Sequence, residues 1–263
     1  MPLKNTNAIH PLDWPIHNVL AFTTSRHSPE PALPDFSSVA PFNQFNLGLH
    51  VGDDATQVEK NRQLLLNYLP SNTKIQWLEQ VHGHHVHLAK TYSPTPIIAD
   101  AQYSQTKNLA LAIMTADCLP VLLASHNGKE IAAIHGGWRP LVQNIIAKTL
   151  TCFSTQPEQI TAWLGPCIGD EVFEVGADVY QAFIQCDAIF EQAFKLISPS
   201  QTINKPTAKY LANLTLLATI QLQQLGIKNI INQSVCTYSN PADFFSYRRE
   251  NITGRMASII CCK

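Results

Sequence analysis

The sequence predicts an α/β or α+β sandwich, organised as one domain over residues 1–263. Three observations predict it. Short, unbroken apolar runs recur at Leu109 to Met114, Val121 to Ala124 and Ile131 to Ile134. Runs of this length are strands buried on both faces, as the inner strands of a layered protein must be. Longer stretches, such as Leu141 to Phe153 and Leu211 to Leu225, read as helices, and strands mixed with helices stack in layers. No stretch has the length and composition of a flexible linker, and no repeat of solenoid period occurs.

The elements follow in order. A first helix opens after Gly52, with Asp54 as its cap and Gln57 three residues on, in a capping-box arrangement. Ile75 to Val81 alternates imperfectly and reads as a strand. Val121 to Ala124 and Ile131 to Ile134 are joined through Asn127-Gly128, a hairpin turn dipeptide. Leu141 to Phe153 reads as one helix, and Ile160 to Leu164 as a strand ending at Gly165-Pro166. Glu174 to Ala193 reads as largely helical, and Leu211 to Leu225 as a helix ended by Gly226. Ile227 to Val235 and Met256 to Cys261 read as strands. Ser28 to Pro41, Tyr92 to Ile97 and Ile197 to Lys209 read as irregular connections.

Composition narrows the function. With 45% hydrophobic and 14% charged residues the chain can offset its ordering entropy and fold. A net charge of -1 lacks the basic excess of a nucleic-acid binder. The longest apolar region, Leu109 to Ala124, is interrupted by Asp117 and Pro120, so no membrane span is expected. The N-terminal residues lack the apolar stretch of a secretory signal. Seven cysteines, an odd number spread over a long chain, read as free thiols in a reducing cytoplasm.

Three local sequences carry chemistry. Glu79-Gln80-Val81-His82-Gly83, Thr115-Ala116-Asp117-Cys118-Leu119-Pro120 and Ile134-His135-Gly136-Gly137-Trp138-Arg139 each place a metal-competent side chain directly after an apolar run. A strand end is rigid and the loop beyond it is open to solvent, which a reactive site requires. His82, Cys118 and His135 offer zinc two imidazoles and a thiolate, leaving a fourth tetrahedral position free. Their separations of 36 and 17 residues match no zinc-finger framework.

Two other designs compete at this point. His82, His84, His85 and His87 include a His-x-His pair that could hold copper, although a multicopper oxidase needs several such pairs. Alternatively Cys118 is a thiolate nucleophile with His135 as its base, and Asp117 or another polar group orients the imidazole. Arg139 follows two glycines that let backbone approach a ligand, and its guanidinium could clamp a phosphate. Arg62, Arg248, Arg249 and Arg255 are further cationic candidates.

Six strings occur in one order: FNLGLHVGDD, WLEQVHG, TADCLPVLL, AAIHGGWR, LGPCIG followed by FEVG, and FFSYRRENITGR. Together they resemble the YfiH/YlmD family, also called the DUF152 or laccase-domain family, from Thr23 to Ile260. The resemblance implies a layered α-β-β-α sandwich with mixed sheets, similar to the cysteine deamidase-like fold. It implies zinc on His82, Cys118 and His135, although the family was first described as copper polyphenol oxidases. It implies phosphorolysis of adenosine, inosine, guanosine and methylthioadenosine, and deamination of adenosine. Some members are linked instead to editing of peptidoglycan precursors. On this reading a nucleoside and phosphate are the partners, Cys118, His135 and Asp117 are catalytic with Asp117 as acid/base, and Asn46, Arg62, Arg139 and Arg248 bind substrate or phosphate. Phe244 or Phe245 could stack on a purine. Two departures stand out. Relatives commonly read His-Ala-Gly-Trp-Arg-Gly where this chain has Gly136 and Pro140, and Asn213 replaces a frequent Asp.

Overall fold

The computed structural model describes residues 6–30, 37–197 and 208–263. Its frame is two mixed sheets face to face with helices outside, the α-β-β-α sandwich. The first sheet has the order Ile9–Pro11, Val19–Thr24, Met256–Cys262, Leu109–Thr115 and Lys74–Gln76. All its pairs are antiparallel except the last. The second has the order Asn229–Asn232, Ile160–Leu164, Leu119–Ser125, Ile131–Gly136, Ala101–Ser104 and Val86–Leu88, with parallel pairs at both edges.

The unbroken apolar runs are explained by this layering. Leu111 and Ile113 share the inter-sheet core with Leu122, Ala133 and Trp163. Their neighbours Ala110 and Ala112 face the other way, into a core with Leu64 and Leu65 of the helix Ala55–Leu65. Val121, Leu123, Ala132 and Ile134 face the outer helices, meeting Ile145, Leu217 and Phe183. Each fully buried large side chain contributes about 1.5–3 kcal/mol of transfer free energy.

Local signals hold where chemistry forces them. The Asp54 carboxylate accepts from the backbone of Thr56 and Gln57, capping the first helix. Gly128 takes φ +68° in the predicted hairpin turn between Leu119–Ser125 and Ile131–Gly136. Other expectations are corrected. Ile75 to Val81 divides into Lys74–Gln76 and Leu78–Glu79, which belong to different sheets. The helix expected at Leu141 to Phe153 is two short helices, Trp138–Val142 and Ile145–Leu150, because Asn144 adopts a left-handed φ of 60°. Glu174 to Ala193 opens with a strand, Glu174–Gly176, before the helix Ala177–Cys186. Leu211 to Leu225 likewise begins as a strand, Lys209–Ala212, and becomes helical only at Leu214–Gln224. The strands Val19–Thr24 and Ala101–Ser104 are additional to those the sequence predicts. Of the expected loop at Ile197 to Lys209, positions 198–207 lie outside the described residues, as do positions 31–36 of the Ser28 to Pro41 segment.

Both departures from the family pattern have a local account. Asn213 caps Leu214–Gln224, its Oδ1 accepting from Leu216 N at 2.8 Å, while Nδ2 donates to Asp170 at 2.9 Å. An aspartate there would present a second carboxylate to Asp170; the amide donates instead. Pro140 is the third residue of Trp138–Val142. First-turn N–H groups have no intrahelical acceptor, so its missing donor breaks no helical bond.

All seven cysteines are free. Cys261 and Cys262 lie in the buried strand Met256–Cys262, and burial pushes their thiols up to about 12 and about 11. Among the described residues no helix is long and apolar enough to cross a membrane.

Candidate metal centre and its cavity

Three loops at one end of the sandwich converge. His82 follows Leu78–Glu79, where Gln80 fastens the segment to the first sheet. The Gln80 side chain donates to Met114 O and accepts from Met114 N, both at 2.8 Å. Cys118 lies in the turn between Leu109–Thr115 and Leu119–Ser125, where the chain crosses from the first sheet to the second. Asp117 makes that turn with φ 96°. His135 is the next-to-last residue of Ile131–Gly136 and is 3% exposed.

Their ligand atoms all lie within 4.8 Å of one another. Cys118 Sγ is 3.7 Å from His82 Nε2, and the two imidazoles meet edge to face at 4.6 Å between centroids. Tetrahedral zinc with ordinary bond lengths sets sulfur and nitrogen ligands about 3.6 Å apart, so the donor set and its spacing fit the ion. His135 Nδ1 lies 2.8 Å from Asp100 Oδ1, leaving Nε2 free to turn toward the cluster. Gly137 seals one side. A Cβ there would lie 3.2 Å from both Cys118 Sγ and His82 Cδ2.

Electrostatics reinforce the cluster. Burial alone would push the Cys118 thiol up, but the imidazoles of His135 and His82 outweigh it and bring it down to about 6. Burial alone would lower His135; the Cys118 thiolate and Asp100 raise it to about 9. Both shifts act in the same sense, favouring a thiolate beside an imidazolium in the metal-free protein. Cys118 contributes stability above its unfolded pKa of roughly 8.5 that is lost as pH falls through about 6. The His135 contribution is complete below an unfolded pKa of roughly 6.5 and is lost as pH rises through about 9. In chelated protein, alkylation of Cys118 followed by mass spectrometry should titrate near pH 6, and His135→Ala should move the midpoint upward. A wild-type midpoint at the free-thiol value would remove the ion pair.

The cluster opens into a cavity of about 590 Å³, within the usual range for small-molecule sites. Arg139, Arg248 and Arg255 line it, with Trp138, Phe173 and Tyr247. Arg139 lies over the Trp138 ring at 4.4 Å, and Arg248 donates to Glu174 O at 2.9 Å. Arg255 donates to the carbonyls of Thr253 and Gly254, both at 3.0 Å.

Of the sequence-based candidates, His82, Cys118, His135, Asp117, Arg139 and Arg248 meet in this cavity. Asn46 and Arg62 are not among its lining residues. Asn46 is fully buried and stitches the loop wall, its Oδ1 accepting from the backbone of Gly48 and Arg255. Arg62 is buried against the Trp77 ring and donates to Leu47 O at 2.9 Å. Phe244 and Phe245 pack with Ala116 and Met256 in a small core, which removes them as purine platforms. The aromatic lining comes from Trp138, Phe173 and Tyr247 instead. Arg249 is bonded to the carbonyls of Thr237, Tyr238 and Phe244, so it organises the loop. The Asp117 carboxylate accepts from Thr237 Oγ1, Ser246 Oγ and Arg248 N at 2.7, 3.0 and 2.7 Å.

Sequence reasoning missed Asp100, whose acceptor role arises only when distant loops meet. Gln80 and Tyr247 stood inside quoted strings, but nothing local marked them as lining a cavity.

Residues 35–263 match the family model described as multi-copper polyphenol oxidoreductase laccase. A Shigella flexneri protein named purine nucleoside phosphorylase YfiH is 43% identical over 94% of this chain and 96% of its own. An Escherichia coli K12 protein of the same name is 45% identical over 85% and 88%. The crystal structure of a Neisseria meningitidis DUF152 protein superposes with a TM-score of 0.87 at 34% identity, covering 97% of this chain and 99% of that one.

Proposed function

Since the chain belongs to the family described as multi-copper polyphenol oxidoreductase laccase, we propose that within it this protein is a cytoplasmic, zinc-dependent purine nucleoside phosphorylase. Its substrates on this reading are adenosine, inosine, guanosine and methylthioadenosine, with deamination of adenosine as a second activity. The observation that carries the reading is one cavity joining a His-Cys-His set to three guanidinium groups and three aromatic rings. Relatives named purine nucleoside phosphorylase over nearly the whole chain support it.

In phosphorolysis a phosphate oxygen bonds to C1′ of the ribose, the glycosidic C–N bond breaks, and the departing purine takes up a proton on nitrogen. Arg139 and Arg248 offer charge to hold the phosphate dianion beside C1′, where a fixed position replaces lost translational freedom. Arg255 adds a third cation to the lining of the cavity. Tyr247, Phe173 and Trp138 supply apolar faces for the base. Zinc held by His82, Cys118 and His135 would supply Lewis acidity and orient an oxygen of the reactants. Asp117 already accepts three hydrogen bonds. We therefore assign it to fixing Arg248 rather than to proton transfer. Among the described residues His82, Cys118 and His135 are the one group of three metal-competent side chains, which favours one metal over a multicopper relay.

One observation favours a second reading. Cys118, His135 and Asp100 stand in sequence, with His135 beside Cys118 and its Nδ1 2.8 Å from Asp100 Oδ1, the thiol–imidazole–carboxylate order of a cysteine hydrolase acting on amides or peptidoglycan precursors. The deciding experiment pairs elemental analysis with incubation in adenosine, with and without phosphate, followed by chromatography. Zinc with phosphate-dependent adenine, and inosine beside it, supports the phosphorylase. Copper or no metal, with adenosine untouched, overturns it. Turnover of amides that survives chelation selects the hydrolase.

A further inference from the structure

Asp100 is fully buried, and its carboxylate collects donors from both histidine segments of the cluster. Oδ1 accepts from the backbone N–H of His82 at 2.9 Å and faces His135 Nδ1 at 2.8 Å. Oδ2 accepts from the N–H groups of Val81 at 3.2 Å and Gly83 at 2.7 Å. The main chain repeats the link, since His135 N donates to Asp100 O at 2.8 Å. His82 itself is held at φ 58°, a left-handed conformation that is unfavourable for a non-glycine residue. Three successive N–H groups on one carboxylate offset that cost, because hydrogen bonds to a charged group are stronger than those between neutral groups.

From this arrangement we infer that Asp100 is a positioning residue that sets the tautomer of His135 and the backbone of His82 with one carboxylate. The inference rests on the metal reading above. It goes further by making one side chain responsible for the relative placement of two ligands 53 residues apart in sequence. With Nδ1–H donated to Asp100, the lone pair of Nε2 is the one directed at the cluster. With the N–H groups of residues 81–83 gathered on the same carboxylate, the His82 ring is delivered from a loop that has no strand partner of its own at that point. Loss of such an outer hydrogen-bond partner weakens metal binding by roughly 10–100-fold.

The test is Asp100→Asn in the full-length protein, with Co(II) as the probe. An amide matches the carboxylate in shape but presents one NH2 group, which must face either His135 or the 81–83 amides. The Co(II) affinity, measured by chelator competition, should fall roughly 10–100-fold, and the visible d–d bands should shift because the ligand geometry has changed. A purely structural role would lower the unfolding midpoint of the metal-free protein and leave the bands of the loaded protein at wild-type positions; that result overturns the inference. Wild-type protein that takes up no Co(II) overturns the metal reading itself, and the two failures are thereby distinguished. If Asp100→Asn does not fold, the wild type still reports. Long-range 15N–1H spectra of the zinc-loaded protein should show the His135 proton on Nδ1, and a proton on Nε2 would overturn the assignment.

Discussion

Replacing His135 by alanine should remove bound metal and phosphate-dependent cleavage of adenosine together, with kcat/KM falling by about a thousandfold or more, a loss of at least about 4 kcal/mol in transition-state stabilisation. The substitution deletes one of three candidate ligands and also removes the imidazole partner of Asp100, whose buried carboxylate keeps only the N–H groups of residues 81–83. Losing one hydrogen bond to a buried carboxylate costs about 1.5–3 kcal/mol, so the unfolding temperature should drop as well. His84 provides the contrast. It is exposed, its ring lies against Gln143, and it is outside the cluster. His84→Ala should leave metal content and kcat/KM at wild-type values. Full turnover by His135→Ala without metal would end the proposed mechanism.

Asp117 should tolerate asparagine far better than alanine. Asp117→Ala removes the acceptor for Thr237, Ser246 and Arg248 at once. It releases the segment that carries Tyr247 and Arg248 into the cavity. Losing several hydrogen bonds to a buried carboxylate costs about 2–4 kcal/mol in stability, and kcat/KM should fall by about a hundredfold as the phosphate site loosens. Asp117→Asn keeps a carbonyl oxygen for part of that set, and kcat should stay within about tenfold of wild type, with an unchanged pH–rate profile. Proton transfer by Asp117 predicts the opposite: asparagine as damaging as alanine, and one limb of the profile gone. Steady-state kinetics from pH 5 to 9 on the two variants decides between holding and proton transfer.

The metal-competent residues were legible because each closes an apolar run, and burial pattern is what a linear sequence displays best. Strand ends bring such residues to one edge of a sandwich, so position and residue type nominate His82, Cys118 and His135, and the resemblance of the surrounding strings favours them over the copper and thiolate designs. Partners were not legible. Asp100 ends the string Ile97-Ile98-Ala99-Asp100, and nothing nearby shows that its carboxylate will meet amides some 20 residues upstream and an imidazole 35 residues downstream. Asn46 and Arg62 lie outside the cavity lining for a related reason: polar side chains in a recognisable string can serve the wall behind a site as readily as the site. Helix limits failed where a single backbone conformation decided them, as at Asn144. The Asn213 cap was readable in principle, but the apolar residues of Lys209–Ala212 extended the apparent helix across it.

The place of Met256–Cys262 in the first sheet has a consequence for how the molecule comes to be. That strand lies between Val19–Thr24 and Leu109–Thr115, with Ile259 opposite both Phe22 and Ala112. Until residues 256–262 are available, two inner strands of the sheet are unpaired edges, which invite association with other chains. Closing the sheet joins segments more than 230 residues apart, a slow and late event by the logic of loop entropy. The segments bearing His82, Cys118 and His135 all leave the ribosome before the strand that fixes Thr115 in register. Burial of these edges therefore waits on that pairing, and a chain interrupted before residue 256 would carry both of them exposed.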